Sequence, residues 1–395
     1  MSQQSTVQQQ ATLQLPLTGT VPAKLPRPGQ LPGKARSRGR GRIGVLRPVR
    51  IGQVALWEIA LVAVAATVWP WRIVSIVVAA VAAVTIIVTS VRLAGLCCYQ
   101  WIGVLFRYRA RRRSAQVKST DPLAAVVPGV TLRRQIDRAG NRAGLADLGD
   151  SLSAVVRLTP TASPNPALPL GVLVNSFDRT DIRLAGAQLV VWSMPSPPRA
   201  RYYGDQRDLE PMQVYWLALR YRPADAPVAA LARGGGDLGA ARATATAGLA
   251  LVARLAEAGY AGVVVDEPEL RQELLVALGS DHSTLGGAAF TVKETWRDWS
   301  IGTLRQFCFA PRTERDAVTM LGKWTAQAAF TCTSYSLHRT ARGEVRGEGR
   351  VRIGVHPTSP VPTAAALGRA LGVELLARNG RQGSSVADTL PLALP

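Results

Sequence analysis

IVSIVVAAVAAVTIIVTSV, residues 73–91, decides the class of this protein. These 19 residues carry no charge, and 11 of them are Ile or Val and four are Ala. As a helix the run would be about 28 Å long, close to the roughly 30 Å hydrocarbon core of a bilayer. Its insertion free energy is on the order of −3 to −7 kcal/mol. The run therefore predicts a membrane-spanning helix.

A second apolar stretch, QVALWEIALVAVAATVWPW, precedes it at residues 53–71. Between the two lies Trp69-Pro70-Trp71-Arg72, in which the proline cannot continue a helix without losing a hydrogen bond. Trp69 and Trp71 suit a membrane–water interface. We therefore expect an N-terminal two-helix transmembrane hairpin over residues 51–96, with a very short outer turn.

Three residues of this hairpin are candidates for helix packing. Ala79 and Ala83 lie four residues apart on the second helix and would permit close contact between helices. Glu58 is the one acid inside the hairpin, and an intramembrane carboxylate is a candidate for function. Because it is only one or two turns from the cytosolic flank, a local role is favoured over pairing with another subunit's helix: its carboxylate would snorkel to the surface or meet an arginine of its own N-terminal arm.

Basic residues are concentrated on the two flanks of the hairpin. The chain of 395 residues has 47 Lys and Arg against 26 Asp and Glu, but residues 1–118 hold 17 of those bases and a single acid. A DNA-binding domain would spread such charge over a folded face, so no nucleic-acid partner is expected. Anionic lipid is the expected partner of the flanks.

The same distribution predicts topology. Nine bases precede the hairpin and seven follow it, against one in the turn, and short basic segments stay in the cytosol. Both termini should therefore be cytosolic. We divide the chain into a disordered basic arm (1–50), the hairpin (51–96), a basic juxtamembrane segment (97–120) with Arg111, Arg112 and Arg113 at the membrane interface, and a cytosolic mixed α/β domain (121–395).

The cytosolic part combines β-rich runs with helical patterns. One helix is expected over 239–258, ended by Gly259, and another from Pro268, with a strand between them. This order indicates an α/β sheet with helices packed on it. The β-rich runs are residues 152–158, 171–174, 188–192, 214–219, 262–265, 290–295, 304–309, 330–337 and 351–355.

No catalytic, cofactor or metal site is predicted. Asp266 and Glu267 end a strand, where acids often bind ligands, but capping of the following helix is the favoured interpretation. The sequence contains no DxD, HExxH or GxSxG motif, and the GxGxxG that starts at Gly39 follows no strand. Histidines 282, 338 and 356 are isolated, and the cysteines at 97, 98, 308 and 332 form no CxxC.

Several stretches resemble the EccE family of mycobacterial type VII (ESX) secretion systems. They are RIGVLRPVRIGQVALWEIALVAVA (42–65), VYWLALRYRP (214–223), the Ala- and Arg-rich helix ending in LAEAGY (255–260), and ETWRDW (294–299). The resemblance implies a non-catalytic structural subunit that assembles with EccB, EccC and EccD type subunits in a large inner-membrane complex. The alternative left open is a membrane-anchored, glycosyltransferase-like enzyme acting on lipid or sugar at the cytosolic face.

Overall fold

A computed structural model describes the chain over residues 51–67, 72–90, 92–93, 96–114, 118–119, 121–137, 139–159, 168–179, 181–195, 211–279, 290–340 and 343–394. Residues 60–395 form one compact unit, and residues 1–59 form a second, described from Ile51 onward. The predicted disordered arm, 1–50, and its glycine motif lie outside the described residues.

The described part contains 11 helices and 15 strands. The helices are α1 (Ile51–Thr67), α2 (Arg72–Ser90), α3 (Cys98–Ser114), α4 (Pro122–Val126), α5 (Leu170–Arg179), α6 (Pro227–Leu231), α7 (Gly236–Glu257), α8 (Glu267–Leu278), α9 (Glu314–Thr319), α10 (Ala364–Leu371) and α11 (Gln382–Ala387). The strands are β1 (Arg92–Leu93), β2 (Leu96–Cys97), β3 (Lys118–Ser119), β4 (Thr131–Ile136), β5 (Arg142–Asp147), β6 (Leu152–Leu158), β7 (Gly186–Met194), β8 (Met212–Tyr221), β9 (Gly262–Val264), β10 (Phe290–Glu294), β11 (Trp299–Ile301), β12 (Leu304–Pro311), β13 (Phe330–Arg339), β14 (Val345–Val355) and β15 (Leu375–Ala377).

Strands β3 to β15 form one 13-stranded sheet in which every described pairing is antiparallel. The sheet contains a repeated unit. The first repeat consists of β6, α5, β7, β8, α7 and β9, with the short helix α6 between β8 and α7, and its strands pair in the order β9-β6-β8-β7. In the second, β12, α9, β13, β14, α10 and β15 pair as β15-β12-β14-β13. Each is a βαββαβ unit of the ferredoxin-like type.

The two repeats meet edge to edge where β7 pairs with β13, with Ala187 opposite Leu337 and Ser193 opposite Thr331. Strands β5 and β4 extend the sheet beyond the first repeat, and β11, β10 and β3 extend it beyond the second. The prediction of a mixed α/β domain is therefore confirmed, in the form of a large antiparallel sheet.

Alternating side chains along the central strands bury both faces of the sheet. On β8, Leu217 and Leu219 pack with the hydrophobic cluster of α5 and α7, whereas Trp216 and Ala218 pack with that of α8. Such alternation follows from the two-residue period of a strand. The domain consequently has three layers, helices on each side of one sheet.

Most predicted strands are confirmed, and 152–158 coincides with β6. The strand predicted at 171–174 is wrong, because these residues belong to α5. Leu173 and Phe177 recur at helical spacing, and both are buried. The short run GVLV is β-rich by composition, but its longer context has the helical period.

The two predicted helices around β9 are also confirmed. Helix α7 ends at Glu257, and Gly259 follows with a φ of +84°, a conformation that glycine adopts without steric cost. Helix α8 buries Leu270, Leu274 and Leu278 against the sheet.

Helices α1 and α2 occupy the positions predicted for the transmembrane hairpin, with 17 and 19 residues. Within the described residues, however, none of the helices combines the length and apolar character that a membrane span requires. The transmembrane assignment of 51–96 is therefore not supported by the structure.

Residues 388–394 cover the sheet where the two repeats meet. The Gln188 side chain on β7 donates to the Asp388 carbonyl at 2.8 Å and accepts from the Ala393 backbone N–H at 2.8 Å. The Ser153 hydroxyl on β6 donates to the Leu392 carbonyl at 2.5 Å. Leu390 and Leu392 are buried, so this segment is part of the core.

Leu390→Ala should lower the free energy of unfolding by about 2 to 5 kcal/mol, because it leaves a cavity in a closed core. The matched control is Leu238→Ala, which removes the same atoms from a side chain that is 53% exposed and should cost about 0.5 kcal/mol or less. Urea unfolding of the full chain, followed by tryptophan fluorescence, measures both. Equal effects of the two substitutions would contradict a core role for residues 388–394.

Candidate functional site

Helix α3 occupies the segment predicted to be basic and juxtamembrane, and one of its faces contacts the domain. Trp101, Val104, Tyr108 and Arg111 are spaced by three and four residues and therefore share one side of the helix. Val104 and Tyr108 are buried, and Trp101 and Arg111 are partly buried. The helix is thus attached to the domain along its length.

Helix α3 packs against the turn between β10 and β11. The Trp296 ring lies 5.3 Å from the Tyr108 ring, edge to face at 80°, and 5.9 Å from the Trp101 ring, tilted by 41°. Such pairs contribute about 0.5 to 1.5 kcal/mol each beyond the burial of their area. Trp296 is therefore the main aromatic contact of α3.

An ion pair between Arg111 and Glu294 also joins α3 to the domain. Arg111 Nε lies 3.3 Å from Glu294 Oε2, and Arg111 Nη2 donates to the Gly380 carbonyl at 2.7 Å. Glu294 Oε1 also accepts from the Gly383 backbone N–H at 3.1 Å, in the first turn of α11. One carboxylate thus links α3 to α11.

Glycine is needed at position 380 because α3 and Trp296 pack closely against its backbone. Its φ is +70°, and a Cβ built on it would lie 2.5 Å from Trp296 Cζ3 and 2.9 Å from Val104 Cγ1. A larger residue would have to displace both side chains. We call Trp101, Val104, Tyr108 and Arg111, together with Glu294, Trp296 and Gly380, the α3 joint.

The ETWRDW sequence, 294–299, shapes the turn that carries Trp296. Thr295 donates its hydroxyl to Asp298 Oδ1 at 2.7 Å, and its N–H donates to the Asp298 carbonyl at 2.8 Å. Asp298 Oδ2 accepts from Arg305 Nε and Nη2 at 3.1 and 2.5 Å. Trp299 points into the core. These contacts give the motif a structural role.

The three residues predicted to pack against other membrane helices, Glu58, Ala79 and Ala83, are exposed in the structure. Helix α2 contacts α3; on α2, Ala82 is buried, whereas Ala79 and Ala83 are exposed. Glu58 is exposed on α1. Ala79 and Ala83 thus remain available to a neighbour, and their packing role stays a prediction.

Of the residues predicted to lie at the membrane interface, the structure describes the side chain of Arg111 only. Arg111 lies in the α3 joint with its side chain 40% exposed, so its main partner in the chain is Glu294. Arg112 and Arg113 belong to α3, but their side chains lie outside what the structure describes, and so do Trp69 and Trp71. Their placement at a membrane interface stays a prediction.

The acids that ended a strand are engaged in structural contacts. Asp266 is the N-cap of α8 and accepts from the Glu267 N–H at 2.7 Å. Its carboxylate also lies 3.2 Å from Arg134 Nε, and that of Glu267 lies 3.5 Å from Arg134 Nη2. The capping interpretation is confirmed. His282 lies outside the described residues.

Nucleophilic and metal-binding chemistry finds no support in the part of the chain that is described. Burial raises the pKa of Cys308 to about 12 and also raises that of Cys332, so both thiols stay protonated and are poor nucleophiles. Among the described side chains no group of three or more His, Cys, Asp or Glu could hold a metal ion.

The comparison with known families bears directly on this region. Residues 212–310 match the EccE family of the type VII ESX secretion system translocon. The match confirms the EccE resemblance drawn from the sequence. It spans about a quarter of the 395 residues, from β8 to β12, and includes the turn that carries Glu294 and Trp296. The chain matches no curated protein.

Sequence reasoning missed α3 as an element that docks on the domain. The signal was present, because Cys97, Trp101, Val104, Tyr108 and Arg111 recur with the period of a helix. The high arginine content of 107–113 favoured a lipid-facing interpretation of the whole segment. Its receptor could not have been found, since Trp296 and Gly380 are distant in sequence.

Gly380→Ala should loosen α3 from the domain, because the new methyl group collides with Trp296 and Val104. Overpacking of this kind costs about 1 to 3 kcal/mol, so trypsin should cleave at Arg107 and Arg109 about tenfold faster. Gly129→Ala is the control, since Gly129 has a φ of +79° with nothing within 4 Å. If both variants were cleaved alike, backbone strain alone would explain the effect and the joint would not be tight.

Proposed function

We propose that this protein is a non-catalytic structural subunit of an inner-membrane type VII (ESX) secretion complex. The observation that carries the proposal is the EccE match over 212–310. It is supported by the roles of the candidate acids and thiols. Asp266 caps a helix and forms an ion pair with Arg134, and the thiols of Cys308 and Cys332 are buried in the core. Its partners would be EccB, EccC and EccD type subunits.

The proposal includes attachment to the membrane through the apolar stretches at 53–71 and 73–91. This part rests on the sequence, on 19 uncharged residues at 73–91 flanked by arginines, and not on the described helices. In it, residues 1–50 and 97–395 lie on the cytosolic side, and the turn around Pro70 lies outside. Anionic lipid then faces the basic flanks.

The α3 joint suits a structural subunit. Because α2 contacts α3 and α3 is fixed to the domain by aromatic, ionic and backbone contacts, the membrane-proximal segment and the sheet form one connected body within residues 60–395. Such a subunit can hold the membrane helices of its neighbours at a set position relative to its own domain.

Ala79→Leu combined with Ala83→Leu should weaken entry into the secretion complex. Both alanines are exposed, and leucine would overfill a close helix–helix contact with a neighbour while leaving the segment at least as apolar. Blue-native electrophoresis of gently solubilised membranes measures the fraction of the chain in the large species. That fraction should fall.

The matched control is Val77→Leu with Val81→Leu, which changes the opposite exposed face of α2 and should leave assembly unchanged. Equal migration of both double variants in a large species would remove the packing role of Ala79 and Ala83. If even the unmodified chain migrated as a small species, the structural-subunit proposal itself would be wrong.

Topology has its own test, through single cysteines at Gln30, Pro70 and Val361 in intact cells. An impermeant maleimide should label Pro70→Cys and spare Gln30→Cys and Val361→Cys, because the flanks of the hairpin carry nine and seven basic residues against one in its turn. Permeabilised cells provide the control, in which all three should react. Labelling of Val361→Cys from outside would place the domain on the other side of the membrane.

A further inference from the structure

The outer face of α3 is apolar and exposed, although its inner face is fixed. Ile102 is 48%, Leu105 39% and Phe106 70% exposed. These three side chains are neighbours on the helix, being spaced by three and four residues or adjacent. Because the α3 joint holds the opposite side of the helix against Trp296 and Gly380, they cannot turn inward. An apolar patch in such a place marks an interaction site.

The charge next to this patch is entirely positive on the helix itself. Arg107 and Arg109 are exposed, and the sequence has no acid between Glu58 and Asp121. On the domain side, Glu294 is already paired with Arg111. A further arginine lies nearby: burial and the charge of Arg107 lower the pKa of Arg381, the residue just before α11. The surroundings of the outer face therefore favour an anionic partner.

Apolar side chains in the first half of a helix and arginines in the second half match the profile of a membrane interface. There the apolar groups enter the boundary between headgroups and acyl chains, and the arginines bind lipid phosphates. An acidic protein surface would satisfy the arginines but would leave Phe106 and Ile102 against polar groups. The half-buried Tyr99 at the start of α3 also belongs to the residue types of an interfacial belt.

We propose that α3 lies on an anionic bilayer surface, with Ile102, Leu105 and Phe106 inserted below the headgroups and Arg107 and Arg109 bound to lipid phosphates. The proposal rests on the membrane location in the proposed function and deepens it. Since the inner face of α3 is fixed to the domain, this contact sets which side of the sheet domain faces the bilayer. Lipid contact would then orient the domain for its partners.

The test uses the full chain in vesicles of equimolar phosphatidylglycerol and phosphatidylcholine, with phosphatidylcholine vesicles for comparison. Phe106→Cys, in a Cys98→Ala background, carries an environment-sensitive fluorophore, and lipids with a nitroxide on the acyl chain act as quenchers. The control site is Val228→Cys, at a residue of α6 that is 75% exposed. Emission at 106 should shift to the blue and be quenched in the anionic vesicles, whereas emission at 228 should do neither.

Charge dependence provides a second measurement. Arg107→Glu with Arg109→Glu should reduce quenching at 106 to its level in phosphatidylcholine vesicles, because anionic lipid would then repel the helix. Arg346→Glu with Arg369→Glu, a matched pair of exposed arginines on the domain, should leave quenching unchanged. An equal loss in both pairs would show a general charge effect and overturn the specific role of α3.

Alkaline carbonate extraction separates this inference from the membrane hairpin. If the chain resists extraction while position 106 stays unquenched in anionic vesicles, the hairpin proposal stands and the α3 inference is wrong. If 106 is quenched at neutral pH but the chain is extracted, α3 binds lipid and the hairpin does not insert. A chain that is extracted and unquenched would overturn both.

Discussion

The pairing of β7 with β13 is the contact on which the rest of the domain depends. Eight residue pairs align along it, from Gly186 opposite His338 to Ser193 opposite Thr331. In either βαββαβ repeat alone, this strand would be an open edge with unpaired backbone groups. Pairing the two edges removes both and makes one continuous sheet. The face beneath it is closed by α8, α11 and residues 388–394, which therefore owe their positions to this pairing.

A buried arginine near this pairing is bound by the end of a helix and by a neighbouring side chain. Arg352 on β14 is fully buried, and it donates to the Leu278 carbonyl at 2.9 Å, to Gln306 Oε1 at 2.6 Å and to the Ala277 carbonyl. Its charge thus lies at the C-terminus of α8, where the helix dipole is negative. Helix α8, which connects the repeats, is therefore bound by a cation from the second repeat, and the α3 joint extends the same connected structure towards α2.

Local periodicity was enough to predict much of this architecture. The pattern at 152–158 predicted β6, and the leucines after Pro268 predicted α8 with Asp266 as its cap, because these elements are decided by neighbours within a few turns. The strand predicted at 171–174 was wrong, because a run of four residues is too short to show the helical period of α5. Local periodicity could not show that β7 pairs with β13, or that Trp296 and Gly380 receive α3, since both depend on contacts between distant parts of the chain. In the hairpin, the apolar composition of 73–91 predicted a span that the described helices do not support.

We propose that this protein is a structural subunit of a membrane secretion complex, and isolation of the intact assembly tests that proposal most directly. The full chain, carrying an affinity tag and expressed at native level, would be purified from membranes solubilised in mild detergent and its companions quantified by mass spectrometry. We expect EccB, EccC and EccD type subunits to co-purify in fixed ratios, in a particle many times the 42.1 kDa of this chain. Recovery of the chain alone, at a mass near its own, would contradict the proposal.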